Sequence, residues 1–130
     1  MPERPLSPHL SVYKFKYTLA TSILNRVAGL ILSLGFVLLT YWLVAIAGGA
    51  RAYAQARTLL ALGVFKIAYA LMLAAFAYHL IAGLRHLIWD TGRGLDRVSS
   101  RRSAWWVAAL SVVATLVLAY LLLRPGAYAR

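Results

Sequence analysis

The sequence predicts an all-α integral membrane protein with three transmembrane helices. Three observations carry that prediction. Long apolar runs are almost free of charge, the chain is too short to hide them in a soluble core, and most basic residues fall between the runs. Of 130 residues, 62% are hydrophobic and mean hydropathy is +0.74, where a soluble domain sits nearer half apolar. Nearly every backbone polar group inside a bilayer must be satisfied within its own segment, so each run reads as a helix rather than a strand.

The first 26 residues are expected to lie outside the bilayer. Pro2, Pro5 and Pro8 favour extended backbone at the start. No short apolar stretch with a small-residue cleavage site is present there, so the segment does not read as a removable signal peptide. Residues 27–47 form the first run, 21 residues without a charge. That is about 31 Å of helix, against roughly 30 Å of hydrocarbon, and Gly48-Gly49 ends it. The second run covers 58–84, with Lys66 near its start, and its span is expected at about 60–88. The third, 103–123, is again free of charge and stops at Arg124-Pro125. Trp42, Trp89, Trp105, Trp106 and Tyr120 lie near the span ends, where amphipathic rings favour the interface. The whole chain, 1–130, reads as a single membrane domain.

The formal charge of +11 does not point to nucleic acid, because the basic residues flank apolar runs instead of clustering on a soluble face. They set topology. Nine Lys and Arg lie before the first span and after the second, and four lie in the other two flanks. This predicts a cytoplasmic N-terminus and second connection. Composition fits a bacterial inner membrane better than a mitochondrial one. Without cysteine there is no disulfide, zinc-thiolate site, iron–sulfur cluster or thiol nucleophile.

Polar groups at membrane depth are costly and tend to mark function. His79 lies about 10–15 Å along its helix from the polar end at Trp89-Asp90. An imidazole there must be neutral or paired, and a neutral imidazole is the form that binds iron. Gly83, one turn on, would let a flat macrocycle approach the helix. A histidine bonded to a neighbouring helix, with Gly83 as a packing residue, fits these local features equally well. If His79 does ligate a six-coordinate haem, the second ligand must come from another polypeptide. His86 lies two turns along the same helix, about 10 Å away, and cannot reach the opposite face of the ring. His9 lies among prolines outside the spans.

Ser22, Asn25 and Arg26 offer a hydroxyl, an amide and a fixed positive charge just before the first span. They would share a helical face if the helix starts early. The set suits a quinone carbonyl or a haem propionate. Pattern alone favours the plainer reading, a helix start with an interfacial arginine.

Three stretches together resemble the cytochrome b membrane-anchor subunit of succinate dehydrogenase, the larger of its two anchors. They are Arg4-Pro5-Leu6-Ser7-Pro8-His9-Leu10 with Tyr13, Ser22-Ile23-Leu24-Asn25-Arg26 with Gly29, and His79-Leu80-Ile81-Ala82-Gly83-Leu84-Arg85-His86-Leu87 with Asp90. The resemblance implies one half of a heterodimeric haem-binding helical bundle. It implies that His79 is an axial ligand of haem b and that Ser22 and Arg26 contribute to a ubiquinone site. His86, beside Arg85 at the membrane edge, reads by its place as a solvated interfacial histidine, with a secondary role at the haem propionates or in proton handling left open. The resemblance also implies three partners: a flavoprotein, an iron–sulfur protein and a second small membrane anchor. Such a chain contributes a site to an enzyme and has no flavin or dicarboxylate chemistry of its own. At Asn25 the family usually carries a histidine associated with the propionate region; asparagine donates a hydrogen bond but neither carries charge nor shuttles a proton. The alternatives are the anchor of a fumarate reductase or other quinone oxidoreductase, and a small membrane protein without redox chemistry.

Overall fold

The computed structural model describes residues 17–124; the segment of Arg4 and His9 lies outside them. Four helices follow in order: α1 (Tyr17–Ala47), α2 (Ala50–Leu60), α3 (Gly63–Asp90) and α4 (Arg97–Leu123). Among the described residues there is no strand. Helices α1, α3 and α4 are each long and apolar enough to cross a membrane. Helix α3 is central, packing most extensively on α4 and then on α1.

Three element boundaries differ from the sequence expectation, each for a physical reason. Helix α1 begins ten residues before the charge-free run, because hydropathy registers only the lipid-facing part of a continuous helix. Ser22, Asn25 and Arg26 are therefore helical rather than part of an irregular N-terminal segment. The 58–84 run is not one helix. It is broken between Leu60 and Gly63, where Leu62 takes an extended backbone ahead of Gly63. Its first residues close α2, a short helix absent from the sequence expectation. Gly49, at φ +88°, begins α2 in a conformation that glycine adopts without strain. Helix α4 starts six residues earlier than the apolar run, because the Asp96 carboxylate caps it by accepting from the backbone N–H groups of Val98 and Ser99 at 3.1 and 2.9 Å.

Packing runs opposite to that of a soluble protein. The buried apolar residues are small, among them Ala28, Ala75, Ala77, Ala82, Ala104 and Val107, whereas Leu34 and Phe36 are 61% and 67% exposed. Small residues let helix backbones approach closely where lipid supplies no hydrophobic drive for association, and large side chains then face the acyl chains. Hydroxyls within the spans are satisfied locally. Ser33, Thr40, Ser111 and Thr115 each donate to the carbonyl one turn back, at 2.6–2.9 Å.

The candidate haem and quinone site

Helices α1 and α3 run antiparallel, so the start of α1 lies beside the end of α3. This register brings Asn25 to His79 across 54 residues of sequence. The His79 Nδ1 lies 3.2 Å from the Asn25 carbonyl oxygen. A carbonyl only accepts, so Nδ1 carries the hydrogen and Nε2 keeps the lone pair. This is the arrangement found behind most metal-bound imidazoles, whose second nitrogen donates to a carbonyl or carboxylate. Gly29, one turn along α1, makes room for the ring: a Cβ built there would lie 3.3 Å from His79 Cε1. One turn beyond His79, a Cβ on Gly83 would meet nothing within 4 Å. Among the described residues Gly83 thus has no packing partner, and it leaves one side of α3 open beside the histidine. Tyr78 ties the same two helices by donating to the Thr21 carbonyl at 3.1 Å.

Asn25 takes part through its backbone and leaves its side chain unspent. Its Oδ1 is buried and meets no hydrogen-bond donor among the described residues. A buried unpaired acceptor is unfavourable by about 1–3 kcal/mol, so the position suits a donor from beyond the described residues. Ser22 and Arg26 lie on the same stretch of α1, half-buried and exposed respectively. These residues fit a haem held at His79 and a polar ligand at the rim of α1.

Arg85 has a role that sequence reasoning missed, having counted it as a flanking charge and as part of the His79–Leu87 motif. It is 6% exposed. Its Nε donates to Ser103 Oγ at 2.9 Å and its Nη2 to the Ser100 carbonyl at 2.8 Å, so it fastens α3 to α4. Its guanidinium carbon lies 3.9 Å from the centre of the Trp89 ring, a cation–π arrangement strengthened by the low dielectric. The Trp89 indole N–H donates to the Gly94 carbonyl in the α3–α4 connection at 3.1 Å. His86 is exposed. Its Nδ1 donates to the Ala82 carbonyl at 2.7 Å and its ring meets Trp89 edge-on at 5.3 Å. The spacing of Ser100 and Ser103, one turn apart at the start of α4, was the available signal for the Arg85 anchor.

The chain is similar in sequence to known proteins over most of its length. A family model described as the succinate dehydrogenase/fumarate reductase transmembrane subunit matches residues 1–118. The succinate dehydrogenase cytochrome b556 subunit of Paracoccus denitrificans is 42% identical over 110 residues, covering 85% of each chain. That of Rickettsia felis is 34% identical, covering 89% of this chain and 90% of its own. The mitochondrial cytochrome b560 subunit of Mus musculus is 38% identical, covering 88% of this chain and 66% of its own. With three apolar helices and a match over most of its length, this chain belongs to the family of succinate dehydrogenase and fumarate reductase transmembrane subunits.

Proposed function

We propose that this chain is the anchor of a succinate:ubiquinone oxidoreductase that supplies His79 as one axial ligand of haem b and Ser22 and Arg26 to the ubiquinone-reducing site. The observation that supports the haem reading most is the His79 Nδ1–H bond to the Asn25 carbonyl, which leaves Nε2 free for iron beside the open face at Gly83. His86, two turns away along the same helix, could not hold the same iron, so a second small membrane anchor would supply the other ligand. When bound, the haem supplies a one-electron reservoir between the two anchors.

The chain's own work in quinone reduction is binding and electrostatics. Ser22 donates a hydrogen bond to a quinone oxygen, and Arg26 stabilises the negative charge that grows there on reduction. Electrons reach this site from a flavoprotein and an iron–sulfur partner docked on the same side, which is cytoplasmic by the distribution of Lys and Arg. The names of the relatives favour succinate oxidation over fumarate reduction.

The decisive measurement is the reduced-minus-oxidised spectrum of the complex purified with His79→Ala. The b-type bands should be lost or strongly altered; their survival unchanged would end the assignment. Arg26→Ala should lower quinone reduction by about tenfold or more, as loss of one preorganised charged donor does. It should leave succinate oxidation with an artificial soluble acceptor intact. Equal loss of both activities would make Arg26 an assembly residue instead.

A further inference from the structure

Neighbouring residues of α3 each bond to the main chain of α1. Tyr78 donates to the Thr21 carbonyl at 3.1 Å, and His79 to the Asn25 carbonyl at 3.2 Å. The two acceptors are one turn apart on α1. Each shares a peptide plane with the next residue along: the Thr21 carbonyl with the Ser22 nitrogen, and the Asn25 carbonyl with the Arg26 nitrogen. So α3 holds, one by one, the two peptide groups that lead into Ser22 and Arg26. We propose that Tyr78 is a positioning residue for quinone reduction, its hydroxyl fixing the peptide plane from which Ser22 projects. The inference rests on the reading of Ser22 and Arg26 as the pair that binds the quinone.

Tyr78 acts from behind α1. Its ring lies with Leu24, Ala74 and Ala108 along an apolar groove of α1, α3 and α4. Successive residues of a helix are about 100° apart, so Leu24 is turned about 160° from both Ser22 and Arg26. The phenol therefore approaches α1 on the side away from those two and does not meet the quinone itself. What it reaches is main chain. A carbonyl oxygen has two lone pairs, and inside a helix one of them takes the N–H four residues on. The second is left for the phenol. The bond is half-buried, where little water competes for either partner and a hydrogen bond is stronger than in water.

The place of the bond along α1 gives it this role. Helix ends fray, and α1 begins at Tyr17, little more than one turn before Ser22. The Tyr78 bond falls between that end and Ser22, so it stops fraying from reaching the serine. Arg26 is a turn deeper and is held by His79. A hydroxyl that must meet one quinone oxygen tolerates little displacement, since a shift of about 1 Å is enough to spoil a reacting geometry.

The test measures ubiquinone reduction by the complex purified with its partner subunits. Tyr78→Phe should raise KM for a short-chain ubiquinone by about three- to tenfold, the worth of one hydrogen bond. Its kcat should stay within about twofold of the parent, and the b-type spectrum should be unchanged. Tyr69 makes the same kind of bond at the far end of α3, to the Leu60 carbonyl at 3.3 Å. Tyr69→Phe should therefore leave KM at the parent value. In a Ser22→Ala background Tyr78→Phe should add little, because its effect passes through Ser22. A parent KM in Tyr78→Phe would overturn the proposal. So would an equal rise in Tyr69→Phe, which would mean general loosening of the helices, or effects of Tyr78→Phe and Ser22→Ala that simply multiply. A parent KM in Ser22→Ala alone would instead end the assignment of Ser22 to the quinone site, and the proposal with it.

Discussion

Gly29 and Gly35 both lie on α1 and both admit a side chain from α3, but the side chains they admit differ. Gly29 meets the imidazole of His79, a flat ring already fixed by its bond to the Asn25 carbonyl. Gly35 meets the thioether end of Met72, an unbranched chain with three rotatable bonds. The first contact sets the direction of a ring; the second fills space. The same contrast extends along the seam. Around His79 the helices are joined by directed bonds from Tyr78, His79 and Arg85. Around Met72 they are separated by an apolar cleft with one cation at its mouth. One end holds something in a fixed orientation, and the other accommodates.

Substitutions can break or sharpen that contrast. The largest effect is expected from Arg85→Ala, which removes two hydrogen bonds from a buried guanidinium and its stacking on Trp89. A loss of about 3 kcal/mol should appear as a lower melting temperature and poorer recovery of the complex. Arg85→Lys should recover only part of it, since an ammonium lacks the planar fork. If Arg85→Ala melts like the parent, α3 and α4 are not held together by this anchor.

Gly29→Ala should be felt next. A new Cβ at 3.3 Å from Cε1 pushes on a ring that cannot move without stretching its bond to Asn25. Strain of about 1 kcal/mol should shift the b-type absorption or the haem midpoint potential. An unaltered spectrum and potential would show that the ring direction is set elsewhere. Gly35→Ala should do less, below about 1 kcal/mol, because the end of Met72 can swing aside into the cleft. A Gly35→Ala defect as large as that of Gly29→Ala would remove the distinction between the two ends.

The smallest effect concerns Asp96. The Ser99 hydroxyl, followed by the Ser99 backbone N–H, holds its carboxyl below the usual carboxylate range against an opposing effect of desolvation, with a smaller contribution from the Val98 N–H. A lowered folded-state pKa contributes stability above the ordinary carboxylate range and loses it as pH falls through the folded value. Asp96→Asn should therefore flatten a shallow acid-side decline in stability and leave neutral pH almost unchanged. A variant that still declines with the parent would assign that titration to another group.

Much of this architecture was legible in the sequence, because charge-free runs of some twenty residues have few alternatives to a spanning helix. Helix α2 was not legible: its Arg51, Gln55 and Arg57 make it look like a loop on any hydropathy window, and its amphipathic pattern is short. The break at 61–62 was hidden for the converse reason, since Ala61 and Leu62 continue the apolar run without a proline. At the site, His79 stood out because lipid makes an imidazole expensive. Its contact with Asn25 depends on the register of two helices 54 residues apart, and no local pattern encodes that. Arg85 was visible as one charge among five in its flank and as part of the His79–Leu87 motif, but its burial required knowing that Ser100 and Ser103 face it from a helix that begins at Arg97.

The Arg85 anchor also bears on how the chain is made. Synthesis delivers α3 before the serines that satisfy its guanidinium, and only the short 91–96 connection separates the two helices. Until α4 has emerged, a charged head near the membrane edge lacks these two hydrogen-bonding partners, a state that disfavours stable integration of α3 alone. Once Ser100 and Ser103 arrive, that penalty is relieved. The Arg85 anchor thus makes α3, the 91–96 connection and α4 one hydrogen-bonded hairpin.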